Sequence, residues 1–161
     1  MPISNFGIVN DSIFRSGQPS DQKAIADLYA IGCRAILKLN SDTEYEAETE
    51  WCHATNMAII QMPIPTLVNS TETIKTIAEK LLETGLRMPH ATRVLVHCTH
   101  GRDRTGLVVA AYRIMFEKWT VEQANAERKR YGVLGFIELA DIDMEVILRE
   151  IYGQVHQGVS K

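Results

Sequence analysis

The stretch Val94-Leu-Val-His-Cys-Thr-His-Gly-Arg-Asp-Arg-Thr-Gly106 brings a thiol, a guanidinium fork and two glycines close together. Val94 to Val96 reads as a short apolar strand closing at His97, and a helix is expected from about Thr105. Cys98 then stands at the carboxyl end of a strand, where ligands bind in open α/β sheets. A loop drawn against a helix N-terminus can turn several backbone N–H groups inward, and such a nest holds a tetrahedral anion. Thr99, His100, Gly101, Arg102, Asp103 and Arg104 form that loop, and the Arg104 fork can grip two phosphate oxygens at once. The same field favours a thiolate at Cys98, which would meet the bound phosphate as a nucleophile.

Taken alone, Cys98 would read as a buried free thiol, because cysteine is among the most buried residue types. Its company argues otherwise: His97, Gly101, Arg104, Thr105 and Gly106 surround it between a strand and a helix. Cys33 and Cys52 have no such company and are expected in the core. Three cysteines without metal-ligand spacing argue against a disulfide scaffold or a zinc knuckle. A reducing compartment fits better.

This Cys-x5-Arg-Thr-Gly loop resembles that of the cysteine-based protein tyrosine phosphatase superfamily. Asn5-Phe6, Ile13-Phe-Arg-Ser-Gly-Gln-Pro19, the apolar strand before the acidic segment and Phe136-Ile-Glu-Leu139 carry the likeness further. Their layout is similar to small atypical dual-specificity phosphatases of the plant and fungal type, and to tyrosine-phosphatase-like inositol polyphosphatases. The resemblance implies a phosphatase that needs neither metal nor cofactor. Cys98 would attack phosphorus to form a phosphocysteine, and Arg104 with the loop amides would stabilise the transition state. Water would hydrolyse the intermediate, with the Thr105 hydroxyl assisting thiolate departure. His97 would shape the loop by hydrogen bonding, or be simply a satisfied core histidine. Arg15 would reach the same rim, or form a surface salt bridge.

Family members present an aspartate on a separate loop to protonate the leaving oxygen. The corresponding region, Pro63-Ile-Pro-Thr-Leu-Val-Asn-Ser70, has no acid. Asp103 is the best substitute, its other role being to hold the loop through backbone N–H groups or Arg102; Asp42 and Glu44 are second choices. Inositol polyphosphates are the preferred substrate, since His100 and Arg102 lie where plant and fungal relatives carry basic residues. Phosphotyrosine or dual-specificity protein dephosphorylation is the alternative. A phosphate-binding module without turnover and a rhodanese-like sulfurtransferase are further rivals, the latter disfavoured by the step from Cys98 to Arg104-Thr-Gly.

The chain's 161 residues suit one domain over 1–161, and a net charge of −3 makes nucleic acid an unlooked-for partner. Residues 87–130 nevertheless hold nine Lys/Arg against four acids. Some of those cations will face apart, yet a local positive region suits a small anionic, phosphorylated ligand. Five acids from Asp42 to Glu50 would repel a polyanion, unless that run is a solvated helix face. Met1 to Phe14 lacks a basic n-region and an apolar h-region, and Leu107 to Tyr112 is too short to span a bilayer, so a cytoplasmic setting is expected.

The elements that must position the loop follow from patterning. A hairpin is expected around Asn10-Asp11, and a helix capped by Ser20 and stopped by Gly32. Strands are read at Ala35–Leu39 and Ala58–Met62, with a Ser41/Glu44 capping box opening the acidic helix that reaches Thr55. Ile74, Ile77, Ala78, Leu81 and Leu82 mark a helix from Ser70. Thr105 to Glu117, apolar nearly all round, should be a central buried helix. Thr120 and Gln123 cap the next, and Phe136 to Tyr152 forms the last. Alternating strands and helices imply an α/β fold: a mostly parallel sheet of four or five strands, covered on both faces.

Overall fold

Apolar side chains on both faces of Ile13-Phe14, Ala35-Ile-Leu37 and Val94-Leu-Val96 require helices on each side of the sheet. A computed structural model describes residues 3–41, 46–64, 70–132 and 138–157, with the side chains of 138–142 left aside. In chain order the elements are β1 (Gly7–Asn10), β2 (Ile13–Ser16), α1 (Gln22–Ala30), β3 (Cys33–Lys38), α2 (Glu46–Ala54) and β4 (Ala58–Gln61). They continue with α3 (Thr71–Arg87), β5 (Arg93–His97), α4 (Asp103–Phe116), α5 (Val121–Arg130) and α6 (Glu138–Gln157). The sheet runs β1-β2-β5-β3-β4, with only the β1–β2 hairpin antiparallel. The expected α/β class and mostly parallel sheet are thus what forms.

Alternation divides the strands between two apolar layers. Ile13, Leu37, Val94 and Val96 join the layer that contains Ile74, Leu81, Leu107 and Leu148 from the helices. Phe14, Ile36 and Leu95 turn to the opposite layer with Ile25, Leu28, Cys33 and Cys52. Helix α4 is buried from Thr105 through Ile114 and packs against α3, α5 and α6. Its strand, β5, lies between β2 and β3 at the centre of the sheet. The loop joining β5 to α4 is therefore held by the most buried elements of the molecule.

Several local boundaries differ from the sequence reading. Asp21, not Ser20, caps α1, its Oδ1 accepting from the Ala24 N–H at 2.7 Å. A carboxylate is the stronger acceptor for an orphan helix donor. Helix α4 begins at Asp103, two residues early, because the Gly106 N–H closes a turn onto the Arg102 carbonyl at 2.8 Å. Strand β3 starts at Cys33 rather than Ala35, while Leu39 still donates to the His97 carbonyl at 2.9 Å. The Thr120/Gln123 capping box and the Ser70 cap form as expected. Glu44, with the Ser41 capping box, and Phe136 lie outside the described residues; α6 runs on past Tyr152 to Gln157.

Candidate active site

Cys98 follows the last residue of β5 and is 3% exposed. The loop after it is clamped from the N-terminal segment. Gln18 N–H donates to the Thr99 carbonyl at 3.0 Å, Asn5 Nδ2 to the His100 carbonyl at 2.8 Å, and Arg15 Nη2 to the Gly101 carbonyl at 3.2 Å. In a trans peptide the next N–H points opposite its carbonyl. The amides of His100, Gly101 and Arg102 therefore face away from the clamp, and no acceptor for them is found among the described residues. Three consecutive unpaired amides beside a helix N-terminus are a site for an anion.

Gly101 makes the clamp possible. Its φ is +72°, and a Cβ there would lie 2.5 Å from Gly17 N and from the Ser16 carbonyl carbon. We expect Gly101→Ala to lower kcat/KM on an aryl phosphate by about a hundredfold, because displacing a reacting group by about 1 Å costs that much. Steady-state kinetics alongside a thermal melt check this, and an unchanged kcat/KM would refute the clamp.

Arg104, in the first turn of α4, donates from Nη2 to Thr99 Oγ1 at 3.0 Å and from Nη1 to the Ile64 carbonyl at 3.3 Å. It ties the two ends of the loop together and links them to the segment after β4. The Arg102 stem lies along Gly132, where an added Cβ would come 2.9 Å from its Cδ. Arg102 Nε is buried without a hydrogen-bond partner among the described residues. His100 is exposed, and Thr99 and Asp103 are half-buried. The Asp103 side chain has no hydrogen bond or ion pair among the described residues, with Arg102 or with backbone. Thr105 Oγ1 is fully buried and has no hydrogen-bond partner among the described residues, a condition that costs about 1–3 kcal/mol. Residues 65–69 of the acid-free loop, and Asp42 and Glu44, lie outside the described residues.

Arg15 meets the loop from behind, through the Gly101 carbonyl, rather than in a surface ion pair. It is 1% exposed, stacked 3.6 Å over the Tyr131 ring beneath the loop. Burial pushes its pKa down to about 10, against the opposing fields of Tyr131, Glu127 and Cys98, so it remains a cation at neutral pH. Two of its nitrogens, Nε and Nη1, have no hydrogen-bond partner among the described residues.

The acidic run of α2 is not wholly a solvated face. Glu46 and Glu50 are exposed, but Glu48 is fully buried. Its Oε1 lies 2.7 Å from His97 Nε2, and its Oε2 accepts from Lys38 Nζ at 3.0 Å and Gln18 Nε2 at 2.6 Å. Burial pushes this carboxyl up, but its hydrogen bonds and the charges of His97 and Lys38 outweigh that and hold it below its ordinary value. The basic segment is likewise reduced, since Arg113 is matched by Glu127 at 2.7 Å and Glu117 at 2.8 Å, and Arg87 by Glu83 at 2.9 Å. Cys33 and Cys52 are buried thiols, each pushed up to about 12 chiefly by burial.

A family model described as the tyrosine phosphatase family matches residues 1–150. The chain belongs to the tyrosine phosphatase family. Among curated relatives of this phosphatase, inositol diphosphatase DSP2 of Oryza sativa subsp. japonica is 31% identical over 135 residues. That match covers 82% of this chain and 64% of the rice protein. Inositol diphosphatase DSP3 of Arabidopsis thaliana is 29% identical, over 96% of this chain and 79% of its own length. The same fold is seen in the crystal structure of Pseudomonas aeruginosa TpbA, with a TM-score of 0.78 at 19% identity over 95% of this chain and 91% of that one. It is seen again in the catalytic core of the PP-IP phosphatase SIW14 of S. cerevisiae, with a TM-score of 0.73 at 20% identity over 90% and 86%.

Sequence reasoning placed the phosphatase loop correctly between β5 and α4 but missed Asn5, Gln18, Lys38 and Glu48. Asn5 and Gln18 sit inside the segments that carry the resemblance, which was their one signal. Among the described residues no group of three or more His, Cys, Asp or Glu could hold a metal ion, and no helix is long and apolar enough to cross a membrane.

Proposed function

We propose that this phosphatase hydrolyses phosphomonoesters through a phosphocysteine at Cys98, with inositol polyphosphates as its substrates. The observation that carries the reading is the run of free amides at His100, Gly101 and Arg102, clamped from behind and adjoining Arg104. A phosphoryl group seated on those amides presents its phosphorus to Cys98. The thiolate attacks, the ester P–O bond breaks, and the leaving oxygen takes a proton. Water then attacks phosphorus, releasing orthophosphate and returning the electron pair to sulfur. The buried Thr105 hydroxyl serves that sulfur as it departs. Exposed His100 supports a wide anionic substrate, as do the relatives named inositol diphosphatases.

Phosphate release from inositol hexakisphosphate, a phosphotyrosine peptide and an aryl phosphate tests the substrate. Preference for the inositol phosphate is expected. Preference for the peptide overturns the substrate, and binding without release of any phosphate overturns the enzyme.

Asp103 is the proposed proton donor. Among the described residues its carboxyl finds none of the partners that a loop-holding role requires, and it stands in the first turn of α4. Asp103→Asn should lower kcat on inositol hexakisphosphate about a hundredfold and remove the basic limb of the pH–rate profile. On an aryl phosphate, whose leaving group needs no proton, the loss should be small. Equal rates on the inositol phosphate would exclude Asp103.

A further inference from the structure

Two of the three loop carbonyls held from behind meet groups with little freedom of their own. Thr99 accepts from the main-chain N–H of Gln18 at 3.0 Å, and Gly101 from the buried Arg15 guanidinium at 3.2 Å. The His100 carbonyl between them is held differently. Among the described residues its one partner is the side-chain Nδ2 of Asn5, at 2.8 Å in an exposed bond. The peptide it belongs to is also the freest of the three to turn. A peptide plane rotates by changing ψ of the residue before it and φ of the residue after it, and the residue after is Gly101. Glycine accepts φ of either sign, so departure from +72° meets little resistance. The turned plane would aim the His100 oxygen where the Gly101 N–H points now, exchanging a donor for an acceptor in a site for anions.

Asn5 is fixed from both sides. Ile3 is buried in the layer of α1 and α2, and the Ser4 carbonyl takes the Gly17 N–H at 2.8 Å. Beyond Asn5 the Phe6 ring packs on Phe14, their centroids 5.2 Å apart. Between these anchors Asn5 turns through a left-handed conformation, φ +51°, which asparagine, aspartate and glycine adopt more readily than most residues. Of those three, only asparagine brings a side-chain N–H at neutral pH.

We propose that Asn5 is a positioning residue of this phosphatase: its side-chain amide holds the His100–Gly101 peptide with the Gly101 N–H turned toward the phosphoryl group. The segment from Ile3 to Phe6 thereby sets what fraction of molecules presents a complete row of amides. A bound phosphoryl group favours the same orientation, because it accepts from the Gly101 N–H, and the two effects are reciprocal. The inference rests on those amides as the phosphate site and is independent of which group attacks phosphorus.

Asn5→Gly tests it, since glycine keeps the left-handed backbone and removes only the amide. The dissociation constant for inorganic phosphate should rise about five- to tenfold, the effect of one neutral hydrogen bond lost. kcat/KM on an aryl phosphate should fall by the same factor, because affinity scales with the competent fraction. kcat at saturation should change little, since the bound group then holds the peptide itself. Asn5→Asp sets two acceptors face to face and should weaken phosphate binding further than Asn5→Gly does. Without phosphate, the melting temperature of Asn5→Gly should stay close to that of wild type, the bond being exposed. Equal phosphate affinity in Asn5→Gly and wild type would overturn the proposal, whether or not the melting temperature falls. A loss confined to kcat, the mark of a loop merely disordered, would overturn it too. Wild-type protein that binds no inorganic phosphate would refute the amide site, and the proposal with it. These differences in binding without phosphate release from any ester would support the role of Asn5 and overturn the turnover reading alone.

Discussion

Cys98→Ser should abolish phosphate release, lowering kcat by about four to six orders of magnitude, while a phosphorylated ligand still binds. A hydroxyl at this position is a far weaker nucleophile and leaving group than a thiolate. The amides of His100, Gly101 and Arg102 and the Arg104 fork do not depend on the sulfur, and the clamps from Asn5, Arg15 and Gln18 hold the loop without it. Binding without turnover is therefore the expected phenotype, read by calorimetry with inositol hexakisphosphate and by phosphate release. Residual turnover within a factor of about ten of wild type would remove Cys98 from the mechanism.

Arg104→Lys is the second large effect, expected to lower kcat/KM by about three orders of magnitude. An ammonium keeps the charge but loses the planar fork, so it cannot grip two oxygens of the transferring phosphoryl group. It also cannot span Thr99 Oγ1 and the Ile64 carbonyl together, so the loop loses its tie to the segment after β4. Thr99→Val separates the two contributions, since it removes the Oγ1 acceptor and leaves the guanidinium. We expect a loss of about ten- to a hundredfold there, in line with one hydrogen bond to a charged group. Equal losses in both variants would assign Arg104 a structural role only.

The loop was legible in the sequence because its chemistry is contiguous: Cys98, Gly101, Arg104 and Thr105 fall within eight residues. The sheet was legible because both faces of β2, β3 and β5 are apolar, and because Gly32 and the Ser70 and Thr120 caps punctuate the helices. The supporting groups were not. Glu48 belongs to an acidic run whose charge predicts exposure, and its partners lie 10 and 49 residues away in β3 and β5. Only the folded chain shows that the run turns one carboxylate inward. Arg15 sits in a strand with apolar neighbours, where a charge is expected to escape to solvent. The Tyr131 face and the Gly101 carbonyl hold it under the loop instead. The basic excess of residues 87–130 overstated the field at the site, because Arg87 and Arg113 are matched by acids elsewhere on the surface and in the core.

Electrostatics in this phosphatase are therefore local. A net charge of −3 over the chain does not cancel a buried guanidinium at Arg15 or a helix N-terminus, since exposed charges are screened within about 10 Å and buried ones much less. The charge that matters for a phosphate is the set of amides and cations within the loop and immediately behind it.

The most direct test of the account is rapid acid quench of the wild-type protein during turnover of radiolabelled inositol hexakisphosphate, followed by peptide mapping. The account predicts phosphate bound through sulfur on the peptide containing Cys98, formed in a burst and absent from Cys98→Ser. Label on any other residue, or steady release of phosphate with no labelled peptide, would contradict it.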